Sequence, residues 1–204
     1  MTVDPVSAAF LASFRRPHII CDMDDTLAWT RQELVTALNA RFSEHYRADD
    51  CTTDWRNSLP PTQSDWLTLF FSDDTTYANV APDQLAIVAI NTLVDSGFDV
   101  TIGSDRPASS ASATKEWLEQ WKVKYSDLAL NGPGSKNDYA KSYGTEAPCI
   151  VVDDDARKWL TIARAGVSIW SPKRPWTPVN WQNYPNVWVF TDWDQVLMRL
   201  GVEE

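Results

Sequence analysis

Two carboxylates spaced two residues apart follow an apolar segment near the start of the sequence. The segment His18–Cys21 runs directly into Asp22, and Asp24 follows after one further residue. Residues i and i+2 of an extended chain lie on the same face, so both carboxylates can converge at the end of a strand. Such a pair suits the binding of a hard cation, or the combination of a nucleophile with a proton donor and acceptor.

An EF-hand calcium loop is the rival interpretation of the same acidic segment. Asp22, Asp24, Thr26 and Glu33 stand at positions 1, 3, 5 and 12 of such a loop. The loop requires glycine at its sixth position, where Leu27 stands, and it must follow a helix. The preceding apolar, β-branched residues predict a strand instead, so the sequence does not favour a calcium loop.

A second acidic cluster follows another apolar segment. Cys149–Val152 ends in Asp153, Asp154 and Asp155. Alone, three consecutive acids are typical of a solvated turn or of the first turn of a helix. Two neighbouring parallel strands would bring both clusters together, and like charges at that distance are costly unless a cation lies among them. The two clusters together predict a magnesium site.

Short segments rich in Ile and Val recur along the chain, each followed by polar or Gly/Pro residues and then by apolar residues at helical spacing. This alternation is typical of βαβ units and predicts an α/β domain with helices on both faces of a parallel, doubly wound sheet. The predicted strands are His18–Cys21, Phe98–Ile102, Leu128–Leu130, Cys149–Val152, Val167–Trp170 and Val187–Phe190, and the predicted helices are Pro82–Ser96, Ser109–Trp121, Lys136–Tyr143 and Asp155–Ala165.

Residues 28–81 interrupt the alternation, because they contain no convincing strand and are longer than a crossover needs. Two amphipathic helices are predicted there, Thr30–Arg47 and Ser64–Phe71, the second capped by its first residue. The expected organisation is an α/β core of residues 1–27 and 82–204 with a small helical insert. The insert would lie over the carboxyl edge of the sheet, where open α/β sheets bind ligands.

The composition narrows the classes of partner. The 204 residues include 18 Lys and Arg against 28 Asp and Glu, a net charge of −10, which disfavours polymeric nucleic acid and anionic membranes because their phosphates repel the chain. No apolar run reaches the roughly 18 residues of a membrane helix. Three cysteines without a close pair, and basic residues placed after the N-terminal apolar stretch, predict a cytoplasmic protein.

The acidic strand ends resemble motifs of the haloacid dehalogenase-like (HAD) superfamily of phosphohydrolases. Asp22-x-Asp24-x-Thr26 is similar to the first motif of that family. The resemblance implies that Asp22 attacks phosphorus and becomes an aspartyl-phosphate, and that Asp24 protonates the leaving oxygen and then activates water. Ser104 resembles the second motif, a hydroxyl group that hydrogen-bonds the phosphoryl group.

Two further motifs extend the resemblance. The third is a lysine near the start of a helix, which Lys136 resembles best, with Lys141 as the alternative. Asp153 and Asp154 resemble the fourth, which helps to hold magnesium. The resemblance implies a three-layer α/β/α core with a helical cap, and it implies Mg²⁺ bound by Asp22, Asp24, Asp153 and Asp154, catalysis by Asp22 and Asp24, and phosphate binding by Ser104 and Lys136.

Within the superfamily, the helical insert and residues 98–107 are most similar to the 5′(3′)-deoxyribonucleotidases. This similarity implies a nucleoside monophosphate as substrate, with aromatic residues of the cap against its base. A core role for these aromatics, and a solvated position for the arginine, are the alternatives. The long loop 173–185 departs from the group. The candidate substrate contacts are Trp55, Trp66, Phe70, Phe71, Tyr77 and, for phosphate or ribose, Arg106.

Other functions remain open from the sequence. The enzyme could act on the 3′ ends of nucleic acids, against which the net charge of −10 counts, or on another small phosphorylated metabolite. A magnesium-binding interaction protein without catalysis is an alternative from a different class. The oligomeric state is also open, with a homodimer among the alternatives.

Tryptophan is frequent in this chain, with 11 residues. Those in the last quarter are predicted to pack the final strand and helix onto the sheet. They are Trp159, Trp170, Trp176, Trp181, Trp188 and Trp193.

Overall fold

The structure is a computed structural model that describes residues 16–52, 55–72, 74–130, 148–164, 167–184 and 186–202. Its strands are β1 (His18–Asp22), β2 (Val100–Ser104), β3 (Asp127–Leu130), β4 (Cys149–Val152), β5 (Ser168–Pro172) and β6 (Val187–Phe190). They form one parallel sheet in the order β3-β2-β1-β4-β5-β6. The predicted α/β fold is confirmed, and each predicted strand is present with small shifts at its ends.

Helices cover both faces of this sheet. The described helices are α1 (Thr30–Phe42), α2 (Pro61–Ser72), α3 (Asp74–Ala78), α4 (Gln84–Asp95), α5 (Ala111–Gln120), α6 (Ala156–Arg164) and α7 (Trp193–Arg199). None of these helices in the described ranges has the length and apolar character needed to cross a membrane. The predicted helix Lys136–Tyr143 lies outside the described residues.

The alternation of side chains along β1 separates two hydrophobic clusters. Ile19 and Cys21 point into the larger cluster, which α4, α5 and α7 cover. Ile20 points into the smaller cluster, where Trp159 and Ile162 of α6 cover the opposite face. Both faces of the sheet are buried at its centre, so β1 and β4 are continuous buried runs rather than alternating ones.

The helix ends in residues 28–81 differ from the sequence prediction. α2 begins at Pro61 rather than at Ser64, because the Pro60 carbonyl already accepts hydrogen bonds from the backbone N–H groups of Gln63 and Ser64, both at 3.0 Å. Proline suits the first helical position, where an N–H group has no intrahelical partner. α1 stops before Ser43, whose left-handed φ of 58° ends the helix. The predicted cap at Ser64 and the extension of α1 to Arg47 are therefore wrong.

The segment 28–81 leaves and rejoins the rest of the chain at one place. Ala28 pairs with Pro82 in an antiparallel bridge, and the N–H groups of Trp29 and Asp83 donate to the carbonyls of Ala81 and Leu27 at 2.8 and 2.7 Å. Its helices share a hydrophobic cluster of their own. The division into a core and an insert stays a prediction, and this cluster is the observation that favours it.

Trp117 of α5 connects the sheet layer to the end of the 28–81 segment. Its indole N–H donates to the Val80 carbonyl at 2.7 Å, and the side chain is fully buried. We expect Trp117→Phe to lower the free energy of unfolding by about 2–4 kcal/mol, because it leaves a void and removes the donor to a buried carbonyl. Denaturant titration measures the change.

Trp121 provides the matched control at the end of the same helix. Its indole nitrogen is buried and has no hydrogen-bond partner among the described residues. Trp121→Phe removes a similar volume but no hydrogen bond, so we expect a loss of under about 1 kcal/mol. Equal losses in the two variants would contradict the role given to the Trp117 hydrogen bond.

Candidate active site

Three adjacent strands place the predicted reactive side chains at one edge of the sheet. β2, β1 and β4 are neighbours, and they end at Ser104, Asp22 and just before Asp153. Cys21 pairs in register with Ile102 and with Val152, so the three strands end at the same level. The sequence predicted this convergence, and the structure brings these side chains together at the carboxyl edge.

A tight turn after β1 directs the next carboxylates away from the strand. The Met23 carbonyl accepts hydrogen bonds from the backbone N–H groups of Thr26, Leu27 and Ala28 at 3.3, 2.8 and 2.9 Å. Asp25 adopts a left-handed conformation with φ of 61°, which Asp tolerates better than most residues. The turn therefore presents Asp24 and Asp25 to the space above the sheet edge.

Three of the predicted metal ligands form a compact cluster. Asp22, Asp153 and Asp154 each offer a carboxylate oxygen, and these oxygens lie within 4.8 Å of one another. All three residues are buried. Burial raises the pKa of Asp154 well above its usual value, and the negative charges of Asp25, Asp153 and Asp22 add to that rise. A set of buried, converging oxygen donors fits a small hard cation such as Mg²⁺.

Asp24 lies outside this cluster of three and contacts a different set of groups. Its Oδ1 accepts a hydrogen bond from the Thr30 hydroxyl at 2.5 Å, and Arg106 donates to its carboxylate from Nη2 at 2.7 Å and from Nε at 3.1 Å. Asp24 was predicted both as a catalytic residue and as a metal ligand. The observed contacts place its carboxylate beside a hydroxyl group and a guanidinium group.

Arg106 is buried, which corrects the alternative of a solvated position. Its side chain is 1% exposed. Besides Asp24, the guanidinium donates to the Thr114 hydroxyl at 3.2 Å and lies 4.2 Å above the ring of Tyr77. These partners come from distant parts of the chain, so a sequence pattern could not reveal that the charge is enclosed.

Lys158 is a cation of the site that the sequence analysis missed. Its Nζ lies 2.7 Å from Asp105, 3.5 Å from Asp155 and 3.6 Å from Asp153. Burial opposes its charge, but Asp153, Asp22 and Asp105 outweigh that effect and raise the pKa of Lys158. Its place in the first turn of α6, three residues after Asp155, was the available signal. Lys136 and Lys141 lie outside the described residues.

Asp155 differs from the two acids before it, although all three are consecutive. Burial would raise its pKa, but hydrogen bonding from Arg157 and the charge of Lys158 lower the pKa to about 2. Arg157 contacts both of its carboxylate oxygens, at 2.9 and 2.8 Å. Asp155 is therefore an ion-paired residue at the start of α6, whereas Asp153 and Asp154 belong to the cluster with Asp22.

A cavity of about 630 Å³ opens above these groups. Asp22, Asp24 and Lys158 line its floor, and Trp55 and Tyr77 line it from the 28–81 segment, together with Arg106. The described residues include no other aromatic side chain in this lining.

The remaining predicted aromatic contacts lie elsewhere. Trp66 packs against Phe42 and Phe70 with ring centroids 5.7 and 5.0 Å apart, inside the hydrophobic cluster of the 28–81 segment. Trp66 and Phe70 thus pack against the core of that segment, and neither lines the cavity. The side chain of Phe71 lies outside the described residues.

The loop after β5 also reaches the site, which the sequence analysis missed. Arg174 donates to the Asp25 carbonyl at 2.9 Å and to the Asp83 carboxylate at 3.2 Å. The indole N–H of Trp176 donates to Oδ2 of Asp154 at 2.7 Å. The prediction that the last-quarter tryptophans pack onto the sheet is confirmed for Trp159, Trp170 and Trp193, which are buried. Trp176 instead contacts the carboxylate cluster.

Comparisons with known proteins give the fold. No family model matches the sequence, and no curated protein matches it. Solved structures do match. A haloacid dehalogenase-like family hydrolase from Streptococcus pneumoniae superimposes with a TM-score of 0.65 at 13% identity, covering 92% of this chain and 99% of that chain.

Two other solved structures are similarly close. Protein tyrosine kinase A of Mycobacterium tuberculosis has a TM-score of 0.67 at 13% identity, covering 92% of this chain and 100% of its own. A HAD family hydrolase from Deinococcus radiodurans with bound phosphate and sodium has a TM-score of 0.64 at 14% identity, covering 92% of this chain and 98% of that chain. Proteins of different activity share this architecture, so function must be argued from the site. The chain has the HAD-like α/β fold.

Proposed function

We propose that this protein is a Mg²⁺-dependent phosphomonoesterase that hydrolyses nucleoside monophosphates through an aspartyl-phosphate on Asp22. The observation that carries the proposal is the cluster of Asp22, Asp153 and Asp154 beside Ser104 at the carboxyl edge of the sheet. The phosphate and sodium bound by the similar hydrolase from Deinococcus radiodurans support the pairing of an anion with a cation on this fold.

Asp22, Asp153 and Asp154 are the residues that would hold the cation. A carboxylate is a weak nucleophile toward a phosphate dianion, because the two charges repel each other. When bound, Mg²⁺ would supply the positive charge that offsets this repulsion. Asp22 ends β1 inside a fully buried strand, so its position is set by the sheet rather than by a flexible loop.

In the first step, a carboxylate oxygen of Asp22 forms a bond to phosphorus while the bond from phosphorus to the ester oxygen breaks. Asp24 donates a proton to that leaving oxygen. In the second step, Asp24 takes a proton from a water molecule, whose oxygen attacks phosphorus and releases Asp22. Asp24 therefore enters the first step as the carboxylic acid and regains its proton in the second, and hydrogen bonds from Thr30 and Arg106 hold its carboxyl group in place.

Ser104 and Lys136 are proposed to bind the phosphoryl oxygens. The Ser104 hydroxyl oxygen accepts a hydrogen bond from the Arg106 backbone N–H at 3.2 Å, and Ser104 is fully buried. A hydroxyl group that accepts one hydrogen bond still has its own proton to donate. Donors fixed in this way stabilise the charge that develops on a transferring phosphoryl group.

The nucleotide substrate is supported by the cavity and by the sequence resemblance. A volume of about 630 Å³ lies within the range of small-molecule sites, roughly 300–1,000 Å³. Trp55 and Tyr77 line the cavity on its 28–81 side, and aromatic lining residues suit a planar base. Polymeric nucleic acid does not suit the acidic lining, because each further phosphate would add repulsion.

Asp22→Asn should abolish turnover. The amide is not a nucleophile, so we expect a loss of at least about a thousandfold in kcat. Phosphate release is measured with Mg²⁺ on deoxy- and ribonucleoside monophosphates, sugar phosphates and a 3′-phosphorylated oligonucleotide. Asp99→Asn, the same change at an exposed residue just before β2, is the control and should retain activity. Turnover by Asp22→Asn would rule out the covalent mechanism. A preference of the wild-type protein for the oligonucleotide would rule out a nucleoside monophosphate as the substrate.

Asp24→Asn should separate the two chemical steps. A nitrophenolate leaving group needs little protonation, whereas a nucleoside does, so we expect a loss of about 10²–10⁴ with nucleotides and a smaller loss in the first turnover of p-nitrophenyl phosphate. Without the base, the phosphoenzyme should accumulate, which rapid mixing detects as a burst of nitrophenolate. Equal losses for both substrates and no burst would contradict the acid and base role.

Metal affinity should fall as the pH is lowered. The raised pKa of Asp154 means that this carboxyl keeps its proton to higher pH in the cation-free protein, and a cation binds only the deprotonated form. We expect the Kd for Mg²⁺, measured by calorimetry, to rise between pH 7.5 and 5 by up to about tenfold per pH unit for one proton displaced. A Kd that is constant over this range would contradict the assignment of Asp154.

A further inference from the structure

The loop after β5 makes contacts that the proposed chemistry does not use. It leaves the sheet after Pro172 and crosses the site before β6 begins at Val187. Its first turn is closed by two hydrogen bonds: the Arg174 N–H donates to the Thr177 hydroxyl at 2.8 Å, and the Thr177 N–H donates to the Arg174 carbonyl at 2.9 Å. This turn fixes the direction in which Trp176 leaves the backbone.

Trp176 is buried against one of the clustered carboxylates. Its exposed fraction is 8%, that of Asp154 is 4%, and its Nε1 lies 2.7 Å from Oδ2 of Asp154. An N–H group that donates to a carboxylate forms a short, strong hydrogen bond. The indole N–H can only donate a hydrogen bond. It therefore orients the carboxylate and does not itself bind a cation.

A guanidinium group covers a face of the same indole ring. The Arg31 guanidinium lies 3.7 Å from the Trp176 ring centroid. Arg31 is itself fixed, because it donates to Asp25 at 3.1 Å and to the Cys51 carbonyl at 2.6 Å. Trp176 therefore lies between a guanidinium group of the 28–81 segment and a carboxylate of the loop that follows β4.

Arg174 connects the same turn to the loop that follows Asp24. Its Nε donates to the Asp25 carbonyl at 2.9 Å, and its guanidinium lies 4.2 Å above the Trp29 ring. The turn thus has two attachments to the site, one through Arg174 to the loop after β1 and one through Trp176 to Asp154 in the loop after β4. An indole anchored at this turn cannot move independently of the two acidic loops.

We propose that Trp176 is a positioning residue for the metal site, whose indole N–H holds the Asp154 carboxylate in the orientation that a divalent cation requires. The inference rests on the proposed function, because it assumes that Asp154 is a ligand. Partners that orient ligands in this way contribute about 10- to 100-fold to metal affinity. A tryptophan that only packs against its neighbours would contribute to stability and not to the affinity for Mg²⁺.

Trp176→Phe tests the proposal, because it keeps an aromatic ring and removes the donor. We expect the Kd for Mg²⁺, measured by calorimetry in the absence of substrate, to rise by about 10- to 100-fold. Turnover should recover when the Mg²⁺ concentration is raised, because the reacting groups are unchanged. An unchanged Kd in the folded variant would overturn the proposal.

Trp170→Phe is the matched control. Trp170 is also buried and its indole N–H is hydrogen-bonded, but to the Ser168 hydroxyl at 3.1 Å. We expect this variant to lose stability and to keep the wild-type Kd for Mg²⁺. An equal rise of the Kd in both variants would show a general packing effect and would overturn the specific role of Trp176.

A measurement on the wild-type protein covers the case in which Trp176→Phe does not fold. The ¹⁵N-labelled indole resonance of Trp176, assigned by correlation to its backbone, should shift on addition of Mg²⁺ with a midpoint at the calorimetric Kd. A resonance that does not move at saturation would overturn the proposal. If the wild-type protein bound no Mg²⁺, the proposed function would fail as well, whereas binding with an insensitive Trp176 would overturn this inference alone.

Discussion

The close approach of buried carboxylates at the carboxyl edge of the sheet is the constraint around which the site is organised. Asp22, Asp153 and Asp154 are buried side chains whose oxygens lie within 4.8 Å of one another, and like charges at that distance repel strongly. The surrounding acids are balanced by individual cations: Lys158 lies between Asp105 and Asp153, Arg31 pairs with Asp25, and Arg106 pairs with Asp24. Carboxylates held this close together favour the entry of positive charge among them, which is the physical reason for proposing a cation at this edge of the sheet.

The sequence was sufficient for the parts of the structure that depend on local pattern. Each strand is a short apolar run, and the acids that follow β1 and β4 lie together because those strands are neighbours. The sequence was insufficient where a side chain's role depends on distant partners. Arg106 meets Asp24 across 82 positions, and Arg174 meets Asp25 across 149. No periodicity encodes such contacts, so a solvated position stayed open for Arg106 and the role of Arg174 was not predicted.

The aromatic residues illustrate the same limit within the 28–81 segment. Composition indicated that the segment needs a core and that its aromatics could contact a ligand, but spacing could not divide them between the two roles. Trp66 and Phe70 lie on α2 within the core cluster, whereas Trp55 belongs to a short 3₁₀ turn and reaches both that cluster and the cavity. The division follows from how α1 and α2 pack, which is a tertiary property.

The bridge between Ala28 and Pro82 has a consequence for how this architecture can diversify. Because the 28–81 segment starts and finishes at adjacent backbone positions, its length can change without moving the strands on either side. The entropy of closing such an excursion grows only slowly with the number of residues it contains. The residues that line the cavity from this segment can therefore change in number and kind while the acidic residues at the sheet edge keep their positions.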